Sequence, residues 1–485
     1  MNKLYALTIA EASKGLRAKS FTSLELTGAC LERLRAVESQ VHATLQVLDA
    51  QALQDAKASD RRLAAGEALG PLDGVPVMVK DNMQLLGSRT TAASKILENY
   101  ESPFDATAVA KLKAAGAVIL AKTNLDEFAM GSSTETSAYG VTRNPWNLTK
   151  IPGGSSGGSA AALASGMCLG ALGSDTGGSI RQPAAMCGVT GFKPTYGRVS
   201  RYGLLSMASS LDQIGTFGRT AEDAKLLLEA IEGKDPLDST SAETSRYVPR
   251  KREGDGLKGL RVGLPEEFFS EGMDPEVRER VMTAAKELEK LGAELVDVKF
   301  PSAKYGLPVY YVIMPCEVSA NLSRYDGMRY GLSVPTPSLK ETYFASRGEG
   351  FGKEVRRRIM LGAHALSSGW YDAYYLQAQK VRAKMKAEFD ALMQDVDLLL
   401  SPTAPSVAWD LGEKFEDPIA MYLTDIYTVT VNVVGAPAVS VPCGFVRDMP
   451  VGLQLIGRQF EDALVLDAAS RYQEVTDWHA KQPML

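Results

Sequence analysis

Two glycine-rich stretches carry serines in a pattern that could support covalent chemistry. The first is PGGSSGGSAAALASG at residues 152–166, and the second is GSDTGGSIRQPA at residues 173–184. Glycine lets the backbone approach a ligand closely and lets several N–H groups converge on one anionic point. A serine in such a loop could attack a carbonyl carbon while the loop N–H groups stabilise the oxyanion. These stretches therefore indicate an acyl-transfer site.

Other interpretations of these loops are weaker. Tight turns that pack helices against a sheet would also use glycine. Phosphate binding is disfavoured because the pattern GxxxxGK[ST] is missing and no lysine follows either glycine cluster. A Ser-His-Asp triad is poorly supported, because His42, His364 and His479 lie in helical or terminal contexts. An acyl-transfer site would therefore need a different base.

Lys80 is the candidate for that base. The stretch GPLDGVPVMVKDN at residues 70–82 alternates valines as a strand does, so Lys80 is predicted to end an apolar strand, where α/β folds often place chemistry. Burial disfavours the ammonium form of lysine and lowers its pKa, which makes a neutral amine available near pH 7. Taken alone, Lys80 could equally be structural or salt-bridged. The serine loops favour the catalytic interpretation.

The elements that must position these residues are those of an α/β fold. Residues 7–66 have helical composition and spacing. A helix from Asp105 followed by a buried strand at 118–121 is typical of a parallel-sheet unit. Residues 315–395 are predicted to be mainly helical and to cap one face of the sheet. The C-terminal part returns to strands, among them TVTVNVVG at 428–435.

We predict one domain over residues 1–485. It begins with a helical segment at 1–66, followed by a core with the candidate catalytic residues at 67–232. A polar surface connection follows at 233–258. Residues 259–485 hold the rest of the sheet, and the helical cap lies within them at about 315–395.

Composition narrows the class of function. The chain has 485 residues, of which 45% are hydrophobic and 23% charged, as in an ordinary globular protein. Its net charge is −5, so it has no general basic field that could bind nucleic acid. Any nucleic acid is expected to be held by a partner. The five cysteines are scattered without a CxxC pair, and the N-terminus is a poor signal peptide. These features favour a reducing compartment, and we predict a cytoplasmic protein without a metal site.

The lysine stretch and the two serine stretches together resemble the amidase signature family in order and spacing. The resemblance implies the α/β amidase signature fold, a mixed central sheet covered by helices on both faces. It also implies a Ser-cisSer-Lys triad in which Ser179 is the nucleophile, Ser155 the bridging serine and Lys80 the base. The implied oxyanion donors are the N–H groups of Thr176, Gly177, Gly178 and Ser179. We further expect Ser156 to stabilise a turn, and Asp175 to pair with Arg181.

Further stretches at 122–147, 317–331, 347–362 and 367–382 resemble the glutamine-hydrolysing subunits of tRNA-dependent amidotransferases, a branch of that family. This resemblance implies hydrolysis of glutamine through a γ-glutamyl ester and transfer of ammonia to a partner, the B subunit. There, ATP and Mg²⁺ would drive conversion of Glu-tRNA(Gln) to Gln-tRNA(Gln), and the heterotrimer would be completed by a small C subunit. No cofactor is expected in this chain, and the B subunit would hold most of the tRNA. Asp-tRNA(Asn) as acceptor and a free-standing amidase acting on another small amide remain open.

A glutamine pocket needs a counter-charge for each end of the amino acid, and a guanidinium can bind both oxygens of a carboxylate. By resemblance, Arg358 takes the α-carboxylate, Asp425 takes the ammonium and Tyr310 lines the pocket. The immediate neighbours Arg356, Arg357 and Tyr311 remain open alternatives.

Overall fold

The computed structural model describes residues 3–243, 257–269 and 272–485. The helices are α1 (Ile9–Arg17), α2 (Ser23–Val41), α3 (Asp49–Ala65), α4 (Thr107–Ala114), α5 (Gly157–Ala164), α6 (Arg181–Cys187), α7 (Ala221–Ile231), α8 (Pro275–Lys290), α9 (Gly306–Asn321), α10 (Leu339–Gly350), α11 (Lys353–Ala365), α12 (Gln377–Asp395), α13 (Pro418–Leu423), α14 (Val429–Val434) and α15 (Asp462–Glu474). The strands are β1 (Thr44–Val47), β2 (Pro76–Lys80), β3 (Val118–Thr123), β4 (Gly170–Asp175), β5 (Thr190–Lys193), β6 (Gln213–Gly218), β7 (Arg261–Pro265), β8 (Glu294–Val298), β9 (Leu398–Pro402), β10 (Ala438–Val446) and β11 (Met449–Gly457). The connection predicted at 233–258 lies partly outside the described residues, at 244–256.

The described strands form one eleven-stranded sheet in the order β1-β3-β2-β4-β6-β5-β10-β11-β9-β7-β8. Strand β2 is parallel to both β3 and β4, and β7 is parallel to both β8 and β9. The other pairings are antiparallel. The sheet is therefore mixed, which confirms the predicted fold class.

Both faces of the sheet are covered by helices. Side chains alternate along each strand, so one strand can contribute to the hydrophobic cores on both faces. In β9, Leu398 and Leu400 enter one hydrophobic core and Leu399 enters the other. The first core includes residues of α8 and α15, and the second includes residues of α9, α12 and α14. The helical cap predicted at about 315–395 corresponds to α9–α12, which begins earlier, at Gly306.

Helix starts in the N-terminal half follow local sequence rules. Thr8, Thr22 and Thr220 cap α1, α2 and α7, and each forms a capping box with the acidic residue three positions later. Such boxes satisfy N–H groups that the first helical turn leaves without partners. Among the described helices, none is long and apolar enough to cross a membrane.

Two local predictions differ from the structure. The segment TVTVNVVG was predicted as a strand, but Val429–Val434 is a short buried helix that ends at Gly435 in the left-handed conformation. Its alternating β-branched residues favour a strand locally, and tertiary packing overrides that preference. The N-terminal helical segment also contains a strand, β1, which pairs antiparallel with the edge of β3.

Candidate active site

Lys80 ends β2, an internal strand of the sheet, as the alternating valines predict a strand there, and its side chain is fully buried. Its Nζ lies 2.8 Å from Ser155 Oγ, 2.8 Å from Ser156 Oγ and 2.9 Å from Ser174 Oγ. These three serines come from the loop before α5 and from the end of β4. The amine is therefore surrounded by hydroxyl groups.

Burial lowers the pKa of Lys80 from 10.5 to about 7, because the ammonium form loses its hydration inside the protein. The carboxylates of Asp126 and Asp175 act in the opposite direction and raise it. No carboxylate forms an ion pair with Lys80 among the described residues; its contacts are hydroxyls and one carbonyl. The site therefore favours a neutral amine that can accept a proton near pH 7.

The surrounding hydrogen bonds orient the lone pair of that amine. Ser156 Oγ donates its hydrogen to the carbonyl of Ser174 at 3.1 Å, so its contact with Lys80 must use a lysine hydrogen. Ser174 Oγ accepts from Asn82 Nδ2 at 2.9 Å and accepts a second lysine hydrogen. A neutral amine has two hydrogens and one lone pair; when the hydrogens are given to Ser156 and Ser174, the lone pair faces the hydroxyl of Ser155.

The two serine loops are joined through the backbone. The peptide bond between Gly154 and Ser155 is cis, and the N–H of Ser156 donates to the carbonyl of Ser179 at 3.2 Å. Ser155 is fully buried, whereas Ser179 is 8% exposed. Of the two serines assigned to the triad by resemblance, Ser179 is the one that keeps some solvent-accessible surface.

A buried ion pair holds the loop of Ser179. Arg181 contacts Asp175 through Nε and Nη2, each at 3.0 Å, and both side chains are fully buried. Burial alone would raise the pKa of Asp175, but the attraction of Arg181 outweighs it and holds that pKa well below its usual range. The expected Asp175–Arg181 pair is therefore present.

The same carboxylate contacts one of the predicted oxyanion donors. The N–H of Gly178 donates to Asp175 Oδ1 at 2.9 Å, so it has an internal partner in this structure. Its role as an oxyanion donor stays a prediction. Thr176, Gly177 and Ser179 remain as candidate N–H donors, and the Thr176 hydroxyl is held by Asp212 at 2.7 Å.

The predicted recognition residues lie on the cap side of the site. Arg358 is 3% exposed, and its Nε donates to Glu354 at 2.7 Å, so this guanidinium already has an internal counter-charge. Asp425 accepts hydrogen bonds from Ser132, at 2.8 and 3.0 Å, and from the Tyr311 hydroxyl at 3.3 Å. Burial raises the pKa of Asp425 to about 7.

The two adjacent tyrosines have different positions. The ring of Tyr310 covers the loop that carries Ser179: a Cβ placed on Gly177 would lie 2.7 Å from its Cζ. Tyr311 instead reaches Asp425. Neither Arg356 nor Arg357 is buried as Arg358 is; Arg356 contacts the carbonyl of Gly348, and Arg357 pairs with Glu354.

Several residues of the site were not expected from the sequence. Ser156 contacts the lysine directly, so its role is more than that of a turn hydroxyl. Ser174, Asn82 and Ser132 were missed altogether. Ser174 is the residue just before Asp175 at the end of a strand that leads into the glycine loop, and that position was the available signal.

None of the hydrogen bonds described for Lys80, Ser155 and Ser179 involves a histidine or a cysteine. His42 ends α2 in the left-handed conformation, and His364 lies in the last turn of α11. All five cysteines are buried and unbridged. Among the described residues, no group of three or more His, Cys, Asp or Glu side chains is arranged to hold a metal ion.

Comparison with known proteins places this geometry in a family. The Amidase family model matches residues 25–466. The chain is 53% identical over 483 residues to the A subunit of glutamyl-tRNA(Gln) amidotransferase from Roseiflexus castenholzii, covering 100% of this chain and 98% of that protein. The protein of the same name from Pseudomonas putida is 52% identical over 481 residues, covering 99% of both chains.

Solved structures agree with these relatives. The crystal structure of the A subunit of glutamyl-tRNA(Gln) amidotransferase from Thermotoga maritima has a TM-score of 0.82 and 43% identity, covering 100% of this chain and 98% of that one. The peptide amidase PAM in complex with the competitive inhibitor chymostatin has a TM-score of 0.83 and 31% identity, covering 99% of both chains. This chain is an enzyme that belongs to the amidase signature family.

Proposed function

We propose that this chain is the glutamine-hydrolysing subunit of a tRNA-dependent amidotransferase, with Ser179, Ser155 and Lys80 as its catalytic triad. The names of its full-length relatives support a role within an amidotransferase complex. The observation that carries the mechanism is the buried Lys80 amine, which lies 2.8 Å from Ser155 Oγ.

The first half-reaction starts when Lys80 accepts the proton of Ser155 and Ser155 accepts the proton of Ser179. Ser179 Oγ then bonds to the side-chain amide carbon of glutamine, and the carbonyl electrons move to oxygen. The N–H groups of Thr176, Gly177 and Ser179 stabilise that oxygen. As the C–N bond breaks, the proton on Lys80 passes back through Ser155 to the leaving nitrogen.

The products of this step are ammonia and a γ-glutamyl ester on Ser179. A water molecule, deprotonated along the same path, then attacks the ester and releases glutamate, which restores the Ser179 hydroxyl. Arg358 binds the α-carboxylate and Asp425 the α-ammonium, so the amide is held against the nucleophile. Tyr310, packed over Gly177, closes the side of the oxyanion loop.

The ammonia is used by partners in this proposal. The misacylated tRNA is bound by the B subunit, which also supplies the ATP and Mg²⁺ chemistry, and the complex is completed by the C subunit. The negative net charge of this chain suits that division, since a tRNA-binding surface would need a basic field. We place the complex in the cytoplasm, where aminoacyl-tRNA is used and where five free thiols are stable.

Ser179→Ala in the reconstituted complex tests this assignment. We expect glutamine-dependent amidation of Glu-tRNA(Gln) to fall at least a thousandfold (~10³, the scale of losing a covalent nucleophile), while ammonium chloride still supports amidation. Loss of both activities would contradict the division of labour, and retention of glutamine-dependent activity would contradict the nucleophile. Glutaminase assays with and without the B and C subunits distinguish a free-standing amidase, which would show no gain on addition of the partners.

A further inference from the structure

Residues of the cap helices and of the segment around α13 form a hydrogen-bonded and stacked network that connects the two charged groups of the proposed glutamine pocket. Glu354 Oε1 accepts from Arg358 Nε at 2.7 Å and from the Tyr422 hydroxyl at 2.8 Å. The Tyr422 ring stacks on Tyr311, with ring centroids 4.0 Å apart and an interplanar angle of 22°. Tyr311 in turn donates to Asp425.

The network controls which edge of the Arg358 guanidinium can face a ligand. The Nε position is taken by Glu354, and Nη1 has only a weak contact with Met314 Sδ at 3.7 Å. An arginine binds a carboxylate in a bidentate manner through two parallel N–H groups. With Nε engaged, the pair formed by Nη1 and Nη2 is the edge left for a carboxylate.

Two aromatic rings lie beside that guanidinium. Arg358 Cζ lies 5.6 Å from the ring centroid of Tyr311 and 5.4 Å from that of Tyr422. These values fall within the distance range of cation–π attraction. The same stacked pair therefore lies next to Arg358 and donates to Glu354 and Asp425 through its two hydroxyls.

This network lies beside an open cavity. Arg358, Glu354 and Tyr422 line a cavity of about 250 Å³ whose wall also includes the loop of Ser133 and Glu135. The side chain of Glu354 is only 12% exposed, so it is an internal partner of the arginine and not a solvated surface charge. A buried arginine without that partner would be an uncompensated charge free to adopt other rotamers.

We propose that Glu354 and Tyr422 are positioning residues that hold Arg358 for the α-carboxylate of the substrate and that couple it, through Tyr311, to Asp425. The inference rests on the proposed glutaminase function. Neither residue touches the reacting amide. Their effect is therefore on the binding of the amino-acid end of glutamine and not on the chemical step at Ser179.

Steady-state glutaminase kinetics of the complete complex test the proposal. Glu354→Gln keeps an oxygen acceptor but removes its charge, and Tyr422→Phe keeps the ring and removes the hydroxyl. We expect the KM for glutamine to rise about tenfold in Glu354→Gln and about threefold in Tyr422→Phe, with kcat within about twofold of the original enzyme. The inhibition constant of the product glutamate, which shares the α-carboxylate, rises in parallel.

Matched controls are Glu349→Gln and Tyr371→Phe, exposed residues of the cap outside this network, for which both constants should stay unchanged. A KM within twofold of the original in Glu354→Gln, or a fall in kcat at constant KM, overturns the proposal. Arg358→Met separates the possible failures. If it raises KM while Glu354→Gln does not, only the positioning role is wrong. If the unaltered complex hydrolyses no glutamine, the proposed function and this inference fail together.

Discussion

The pH dependence of glutamine hydrolysis gives a direct test of the buried lysine. With a pKa of 10.5, only about one Lys80 side chain in 3,000 would be neutral at pH 7, whereas with a pKa of about 7 roughly half are neutral. Burial therefore increases the concentration of the active base on the order of a thousandfold. In the proposed mechanism the neutral form is the active one, so we expect kcat to rise with pH through about 7 and to level off above it.

The two kinetic constants report different groups. Asp425, whose pKa burial raises to about 7, must be ionised to bind an ammonium group. Its protonation therefore weakens substrate binding in the same pH range. We expect kcat/KM to fall below pH 7 with a slope approaching two, and kcat, which reports the substrate complex, to fall with a slope of one.

Initial rates of glutamate formation between pH 5.5 and 9 at constant ionic strength provide the measurement. Amidation driven by ammonium chloride over the same range corrects for titration of the partner proteins. In Lys80→Arg the guanidinium stays charged at every pH, so hydrolysis should be absent throughout. A kcat profile that is flat from pH 5.5 to 9, or Lys80→Arg activity that approaches that of the original enzyme, would refute the reasoning.

Two further variants test the groups around the lysine. Ser156→Ala removes one of the two acceptors that orient the Lys80 amine, so we expect kcat to fall about tenfold with KM unchanged. This loss is much smaller than the loss expected for Ser155→Ala. Equal losses in the two variants would show that the two serines share one role. Arg181→Met leaves the fully buried Asp175 carboxylate without its arginine partner. The free energy of unfolding, measured by urea denaturation, should therefore fall by about 3–5 kcal/mol. A change below about 1 kcal/mol would contradict the importance of the pair.

Local sequence rules predicted the strand that ends at Lys80, because valines alternate before it and the strand is buried in the sheet. They also identified both serine loops and the Asp175–Arg181 pair, since glycine density and short-range charge are local signals. They could not predict that Ser174 reaches Lys80, because that contact joins residues 94 positions apart. Nor could they predict that Glu354 pairs with both Arg357 and Arg358, one through each carboxylate oxygen, since helical spacing allows either pair alone.

The segment 429–434 shows why periodicity alone can mislead. Five of its six residues are β-branched, yet they form a helix that is held by distant groups. Arg181 donates to the carbonyl of Thr428 and to Asn432 Oδ1, and Asn432 donates to Asp175. These tertiary hydrogen bonds stabilise the helix. They join residues far apart in the sequence, so a prediction from neighbouring residues alone does not include them.

The residues proposed for catalysis and those proposed for substrate recognition come from different parts of the chain. The lysine and both triad serines come from the stretch between β2 and α6, before residue 190, while the groups assigned to hold the amino acid come from α9, α11 and the segment after α13. The proposed catalytic residues and the proposed substrate-binding residues are therefore encoded in different halves of the gene. Mutations in the distal half can alter which amide is accepted while the proton-transfer apparatus stays untouched, so this scaffold is well suited to diversification.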